Sequence, residues 1–306
     1  MKKSALILLF MVLLLVYSAR AEAAAPQVVV DAHIISYDNH PYPIVENNST
    51  LVPISIFEVL GADIVSKYNS DHIVIAKGSA VIEMQVGSDK AYLNGVLKKL
   101  PVPVKRFDGC PMFPIIFVSQ VIMAEVNWQP QTNTILVSSK EMIYLAQEVT
   151  RGLESQMDKA RAIHDWICLN INYESYGDGT AYKGSNLELL LINTSPAVVF
   201  QRGKTDAAGF AKLNLALLNR VGITAQTIGG TYKPGCPTIW NKSGDWEYWC
   251  WNRALVDGKW IIIDTSLDAE SKGTEHKYFN PSPAEFQKNH QDDRIWNYVF
   301  SFATGK

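Results

Sequence analysis

A predicted helix start near residue 206 is the point in the chain best suited to holding a reactive thiol. Residues 202–213 read RGKTDAAGFAKL, and the following apolar residues have the spacing of one buried helix face: Phe210, Leu213, Leu217 and Leu218. Thr205 or Asp206 would cap this helix, which puts Ala207 in its first turn. Unpaired backbone N–H groups and the positive end of the helix dipole stabilise a cysteine thiolate at such a position. Here the residue is alanine, which has no nucleophilic group.

Three separated motifs surround this position. Residues 207–213 read AAGFAKL and are followed by Gly222-Ile223, residues 249–252 read WCWN, and residues 257–266 read DGKWIIIDTS. In this order they resemble the transglutaminase-like superfamily, whose pattern is a Cys-x-Gly-Tyr/Phe-Ala-x-Leu helix, a His-x-Trp-Asn strand, an Asp-Gly-Lys-Trp turn and an Asp-x-Thr strand end. The resemblance covers roughly residues 155–290 and implies a papain-like, transglutaminase-like α+β domain.

The resemblance places the catalytic triad at Ala207, Trp249 and Asp264. A working site needs a thiolate, an imidazole that shuttles the proton and a carboxylate that orients the imidazole. Only Asp264 keeps the required type, and loss of even one member costs on the order of four to six decades in rate. We therefore predict no catalytic residue at these positions. Ala207 alone would fit an engineered inactive form, whereas the second change, at Trp249, favours natural degeneracy.

Two other parts of the sequence are candidates for a different chemistry. Cys250 is adjacent to Trp249, but strand alternation points it to the opposite face, which favours a core cysteine. Gly203-Lys204-Thr205 resembles the end of a phosphate-binding loop, yet Val198 stands where the first glycine is needed. No nucleotide or other cofactor is predicted.

An aromatic group lies around the strand with the lost histidine. Trp251 and Trp260 match family tryptophans and are predicted to be core. The indole of Trp249 offers a flat apolar face and one N–H donor, which suits stacking on a sugar ring or a peptide side chain. We predict ligand contacts at these residues: Trp249, Asp264, Tyr248 and Trp246. Filling of a disused cavity explains Trp249 equally well.

The first 23 residues have the pattern of a secretory signal peptide: two lysines, an apolar run from Ala5 to Val16 and small residues at Ala21 and Ala23. The run is short for a membrane span, so we expect a secreted protein, extracellular or associated with the cell wall. Cleavage of the signal peptide removes Lys2, Lys3, Arg20 and Glu22, which changes the net charge from −2 to −4. This mild acidity gives no support to nucleic-acid or anionic-membrane binding.

Cysteines and histidines give no metal or disulfide pattern. Four cysteines, Cys110, Cys168, Cys236 and Cys250, are too scattered for a disulfide scaffold; buried thiols are favoured over a Cys236–Cys250 bridge, which stays an alternative. His33, His40 and His72 lack ligand spacing, so no metal site is predicted. His164, on a predicted helix from Met157 to Ile171, is interpreted as structural or solvent-facing.

Residues 27–139 contain a tandem repeat with a period of about 62, visible as Ala62 to Ile73 and Ala124 to Ile135. Each copy predicts a strand, a turn, a strand, a short helix after Pro53 or Pro114, and a closing strand. The pattern is similar to the extracellular module called the copper amine oxidase N-terminal domain. This resemblance does not imply copper binding, and we interpret the domain as a stalk or attachment domain.

The predicted fold class is therefore α+β, with a β-β-α-β repeat domain before the transglutaminase-like domain. The expected boundaries are 1–23 for the signal peptide, 27–139 for the repeat, 140–155 for a short helical connector and 156–306 for the second domain. Asp257-Gly258 predicts a tight hairpin turn, and the tail from His276, with its Trp296 to Phe302 run, is expected to pack outside the sheet.

Functionally, we expect a non-catalytic relative of these enzymes that binds a peptide or glycan, with cell-wall material as one candidate. The alternative is an active transglutaminase or cysteine peptidase whose nucleophile is displaced or substituted. A purely structural envelope protein is a third interpretation.

Overall fold

The chain folds around two separate apolar cores, one in each half. The computed structural model describes residues 25–35, 41–66, 70–175, 192–234, 245–273 and 275–292. The predicted signal peptide, His40, Cys236 and the Trp296 to Phe302 run lie outside these residues. Across the described part of the chain, no helix combines the length and apolar character needed to cross a membrane.

The first half contains the predicted short helix and closing strand in each copy, but more strands than the β-β-α-β pattern predicts. The first copy contains β1 (Gln27–Val30), β2 (His33–Ile34), β3 (Ile44–Glu46), β4 (Ser49–Pro53), α1 (Ser55–Val59), β5 (Asp63–Ile64) and β6 (His72–Lys77). The second contains β7 (Ala80–Gln85), β8 (Lys90–Leu93), β9 (Val96–Lys99), β10 (Lys105–Phe107), β11 (Cys110–Pro114), α2 (Ile115–Val121), β12 (Ala124–Gln129) and β13 (Thr134–Ser139). The short helix after each proline and the closing strand of each copy are confirmed.

The two copies are joined by their central hairpins. Strands β3–β4 and β10–β11 form one sheet in the order β10-β11-β4-β3, with Phe113 opposite Val52. The outer sheets have the orders β12-β13-β1-β2 and β5-β6-β7-β8-β9. Phe57 and Phe113, one from each copy, meet edge to face at 5.5 Å in the shared core. Since each copy contributes half of this core, the repeat closes as one domain.

The second half is an α+β domain. Its elements are α3 (Lys140–Val149), α4 (Gln156–Asn170), β14 (Asn172–Tyr173), α5 (Pro196–Arg202), β15 (Lys204–Thr205), α6 (Ala207–Arg220), β16 (Ala225–Tyr232), β17 (Glu247–Val256), β18 (Lys259–Ile263), α7 (Thr265–Asp268), a 3₁₀ turn (Ala269–Ser271), α8 (Pro283–Phe286) and β19 (His290–Asp292). Helix α6 packs against β16 and β17 in a sheet of order β18-β17-β16-β19. The turn at Asp257 and Gly258 has positive φ at both residues, the hairpin geometry expected for this pair.

Two segments take a larger part in this domain than the sequence suggested. The expected connector, residues 140–155, contains α3, whose Met142 and Ala146 are buried in the second core. The described tail does not only cover the sheet, because β19 adds an edge strand beside β16, with His290 opposite Tyr232. A three-residue strand has too little periodicity to be recognised in a sequence.

Candidate functional site

Asp206 places Ala207 at the start of α6. Its side-chain Oδ1 accepts a hydrogen bond from the Gly209 N–H at 3.0 Å, so Asp206 is the cap, as one of the two predicted candidates. Gly209 lies against Thr205, and an added Cβ would collide with that threonine side chain. The glycine of the motif therefore allows the close approach between the β15 end and the helix start, and Ala207 is buried there.

Trp249 and Asp264 are hydrogen-bonded to each other. The indole Nε1 of Trp249, on β17, donates to Asp264 Oδ2 at 2.9 Å. Asp264 follows β18 and caps α7, since its Oδ1 accepts the backbone N–H groups of Ser266 at 3.1 Å and Leu267 at 3.3 Å. Trp249 and Ala207 belong to one buried cluster, so the three predicted positions lie in one region of the fold.

The Trp249 ring contacts two other aromatic rings. Tyr173 stacks on it with ring centroids 5.4 Å apart, and Tyr232 lies tilted at 5.1 Å. Trp249 is only 3% exposed and Asp264 only 1%, so neither presents a surface to a ligand in this conformation. This placement favours the cavity-filling interpretation of Trp249.

Asp264 also has a histidine partner from the tail, His290, which was not predicted from the sequence. His290 Nε2 lies 3.3 Å from Asp264 Oδ2, while its ring stacks on Phe286 at 3.7 Å between centroids. The side chain is 2% exposed, and its Nδ1 lies 2.8 Å from Asn289 Oδ1. His290 is thus an interior partner of the carboxylate, without access to a substrate from solvent.

The other predicted aromatic contacts lie elsewhere. Tyr248 is 67% exposed and Trp246 40% exposed, and strand alternation puts Tyr248 on the opposite face of β17 from Trp249. The four predicted ligand residues therefore do not form one surface. Trp251 is buried as predicted, but Trp260 is 49% exposed and its core assignment was wrong, because Ile261 and Ile263 occupy the inward positions of β18.

A groove opens on the aromatic cluster that contains Trp249. Its volume is about 450 Å³, and Tyr232, Tyr278 and Phe286 belong both to this cluster and to the groove wall. Lys233, Lys277 and Lys288 also line it, together with Glu285, which pairs with Lys288 at 2.5 Å. Two lysines thus remain to give the groove a positive character. We refer to it below as the tyrosine groove.

Three cysteines are described, and each is a free thiol: Cys110, Cys168 and Cys250. Burial raises the pKa of the Cys250 thiol to about 12, with Asp206 adding to the effect and Lys212 opposing it. Lys212, on α6, donates to Thr194 Oγ1 at 2.7 Å, and burial lowers the pKa of its ammonium group to about 8. A neutral thiol is a poor nucleophile.

A second cysteine, histidine and aspartate group lies in the interior of the same domain. His164 Nε2 is 3.1 Å from Asp268 Oδ2 and 3.6 Å from Cys168 Sγ. The thiol donates to the Thr265 carbonyl oxygen at 3.4 Å. His164 and Cys168 are completely buried, so the solvent-facing alternative for His164 is excluded and the structural one is supported.

His164 is further linked to Asp165 and His276. Its Nδ1 lies 2.8 Å from Asp165 Oδ1, which also accepts from His276 Nε2 at 2.7 Å. Burial alone would lower the pKa of His164, but the hydrogen bonds to Asp165 and Asp268 outweigh it and raise that pKa to about 11. Burial raises the pKa of the Cys168 thiol, against the effect of His164. A buried thiol beside an imidazole that is already protonated has no base to activate it.

The helix start, the strand pair and the sheet define a transglutaminase or cysteine-peptidase fold. The chain carries a copper amine oxidase N-terminal domain, matched over residues 29–137, followed by a transglutaminase-like superfamily core, matched over residues 143–265. The mixed α+β fold class and both resemblances are confirmed.

Part of the chain is similar to two curated proteins and to a solved structure. Kyphoscoliosis peptidase from Mus musculus is 26% identical over 170 residues, and the Homo sapiens protein is 25% identical. In both cases the match covers 51% of this chain and 24% of the relative, so the chain spans about a quarter of their length. A crystal structure of a TGase is 18% identical over 42% of this chain and 30% of its own, with a TM-score of 0.32.

Proposed function

We propose that this protein is a secreted, non-catalytic member of the transglutaminase-like superfamily that binds a peptide or glycan segment of cell-wall material. The observation that carries the proposal is the 2.9 Å hydrogen bond from Trp249 Nε1 to Asp264 Oδ2. An indole takes the place of the imidazole that the family motif has there, and an indole exchanges no proton near neutral pH. With Ala207 at the helix start, two of the three catalytic groups are missing.

The thiols of the described residues support loss of catalysis over a displaced nucleophile. Cys250 is the nearest in sequence to the former triad, but its high pKa leaves almost no thiolate at neutral pH. Cys168 lies beside an imidazole and a carboxylate, but it is completely buried. Neither thiol meets the two conditions of a cysteine nucleophile, access to substrate and a low pKa.

The tyrosine groove is the surface that we assign to the ligand. Its volume lies in the range typical of small-ligand sites, and it combines aromatic walls with lysines. Lys233 and Lys277 are exposed and suit a carboxylate, while Tyr232 and Tyr278, which are 8% and 9% exposed, offer a small aromatic contact beside them. Peptidoglycan stem peptides and acidic sugars have both features. The ligand thus contacts the wall of the aromatic cluster and not the buried Trp249 ring.

Binding is tested with purified mature protein and insoluble peptidoglycan, with soluble muropeptides as competitors. Lys233 and Lys277 are exposed, so the double variant Lys233→Ala/Lys277→Ala should fold normally and lose at least about 10-fold in affinity. The matched control is Lys98→Ala/Lys99→Ala, which removes two exposed lysines from the first domain. Equal binding by all three proteins would contradict the assignment of the groove.

The catalytic alternative is tested separately. We expect no incorporation of a fluorescent amine into casein and no hydrolysis of peptide substrates above the rate of buffer alone. Turnover by the parent protein that disappears in Asp264→Asn would refute the non-catalytic part of the proposal and support an active enzyme.

A further inference from the structure

We propose that His164, Asp165 and His276 form a binding site for a divalent first-row transition metal ion, with Zn²⁺ as the reference ion. The candidate ligand atoms are His164 Nδ1, Asp165 Oδ1 and His276 Nε2, which all lie within 4.8 Å of one another. Two imidazole nitrogens and one carboxylate oxygen form a donor set that zinc and its neighbours favour. The site lies apart from the tyrosine groove and does not depend on the proposed function.

The spacing of the donors needs only a small adjustment. Asp165 Oδ1 is 2.8 Å from His164 Nδ1 and 2.7 Å from His276 Nε2. Zinc bonds of 2.0–2.1 Å at tetrahedral angles require donor atoms about 3.3 Å apart. Asp165 has a side chain that is 36% exposed, which leaves room on the solvent side for its carboxylate to move outward.

His164 has an outer partner of the kind that metal-binding histidines use. Its other ring nitrogen, Nε2, lies 3.1 Å from Asp268 Oδ2, and the Asp268 carboxylate also accepts the Tyr278 N–H at 3.0 Å. In the neutral ring that a metal ion requires, a carboxylate on the far side holds the proton on Nε2 and leaves Nδ1 as the ligand, so metal binding displaces the second proton of the ring. His164 Nδ1 is therefore already directed at the candidate site.

The backbone positions the remaining ligands and leaves an approach from solvent. His164 and Asp165 lie on helix α4, whereas His276 lies in the C-terminal segment with a φ of 51°, in the left-handed region that non-glycine residues seldom adopt. The His276 side chain is 33% exposed. An ion can thus enter from this side, and water can complete its coordination, as in sites with three protein ligands.

Metal binding is measured on tag-free mature protein, treated with EDTA and dialysed, by calorimetric titration with ZnCl₂. We expect one equivalent to bind. His276→Gln and Asp165→Asn change half-exposed residues, and each should weaken binding by at least the ~10–100-fold that loss of even an outer partner causes. The control is His72→Gln, because His72 is an exposed histidine in the other domain that pairs with Glu83 at 3.6 Å.

Titration with Co²⁺ provides a measurement that does not depend on any variant. Visible absorption bands of a nitrogen and oxygen coordinated Co²⁺ should saturate at one equivalent and disappear when excess Zn²⁺ is added. The proposal is overturned by the absence of stoichiometric binding, by variants that bind like the parent, or by an equal loss in His72→Gln.

Discussion

The second domain contains two residue groups that can be compared with a cysteine–histidine–aspartate site, and each lacks what the other has. The predicted triad positions, Ala207, Trp249 and Asp264, have a favourable location at a helix start but carry neither a thiol nor an imidazole. The site at Cys168 and His164 has a thiol and an imidazole, but both residues are completely buried and lie within α4, away from its first turn. Residue types and location must coincide for a thiol to become a nucleophile, and here they do not.

The difference between the two locations follows from helix geometry. The first turn of α6 offers N–H groups without helical partners, which favour a thiolate. Cys168 lies in α4 four residues after His164, where the backbone amides are already paired and the two side chains share one face. The i,i+4 spacing thus gives the contact between the two side chains but not the free N–H groups of a helix start.

The largest effect that we expect concerns the carboxylates of the two sites. Asp264→Ala leaves Trp249 Nε1 and the N–H groups of Ser266 and Leu267 without their acceptor, and Asp268→Ala does the same to His164 and Tyr278. Each should lower the free energy of unfolding by about 3–5 kcal/mol in urea titrations with EDTA present.

The matched control for these variants is Asp292→Asn, because Asp292 forms an exposed pair with Arg253 at 2.7 Å. This change should cost less than about 1 kcal/mol. If Asp264→Ala were no more destabilising than the control, Asp264 would not be the buried structural acceptor described above, and the contrast between the sites would weaken.

Restoring the lost residues is the next test. In Ala207→Cys/Trp249→His, the new thiol should have a pKa below 8.5, against about 12 for Cys250 in the parent. At neutral pH a larger fraction of the new thiol is ionised than of Cys250, although a thiolate of lower pKa is intrinsically less nucleophilic. Together these effects predict that iodoacetamide alkylates the new thiol on the order of 100-fold faster than Cys250. Site-resolved mass spectrometry measures both rates. The smaller ring should also cost roughly 1–4 kcal/mol in stability.

The restored thiol distinguishes the two interpretations of this region. Alkylation only at the rate of an ordinary exposed cysteine would mean that residue 207 is not the nucleophile position. The active-enzyme alternative, with its nucleophile elsewhere in the chain, would then regain support.

The sequence predicted the features that depend on local pattern. The repeat, the capped helix at Ala207 and the Asp257-Gly258 hairpin each follow from short-range spacing, and the structure contains them. The hydrogen bond between Trp249 and Asp264 could be anticipated, since a buried carboxylate requires donors and the two strands are neighbours.

The sequence did not predict contacts that join distant segments. His164 meets Asp268, and Asp165 meets His276, across more than 100 residues, and no ligand spacing links them. His290 reaches Asp264 from a three-residue edge strand. Trp260 was placed in the core by motif likeness, although strand alternation turns it outward. Tertiary arrangement decides each case.

A smaller effect is expected at Lys212, which lies on the helix of the former nucleophile. Its folded-state pKa of about 8 is below the ordinary 10.5, so burial of the charged form opposes folding below pH 8 and this cost disappears as the pH rises to about 10.5. Lys212→Met should therefore raise the free energy of unfolding by about 1–3 kcal/mol at pH 7 and change it little at pH 10.5. Urea titrations at the two pH values measure this. An equal effect at both pH values would indicate that packing, not charge, is responsible.

The smallest expected effect is on the first domain, because both sites lie in the second. We predict that residues 27–139 and 142–306 unfold as separable units.

The described contacts between the two domains include Ser195 Oγ to the Val59 carbonyl oxygen at 3.0 Å, Gln201 Nε2 to the Gly61 carbonyl oxygen at 3.2 Å, and the ion pair of Lys77 with Glu141 at 2.9 Å. Ile192 and Ala32 also pack across the boundary, each against the core of the other domain. Hydrogen bonds contribute about 0.5–1.5 kcal/mol each and such an ion pair about 1 kcal/mol or less, so the three polar contacts together lie below the 5–15 kcal/mol of a typical domain. Calorimetry of the full chain should therefore show two transitions, and Asp264→Ala should shift one of them while moving the other by less than about 1 °C. A single transition that shifts as a whole would show that the contacts couple the two cores, and the two sites would then have to be considered as parts of one cooperative structure.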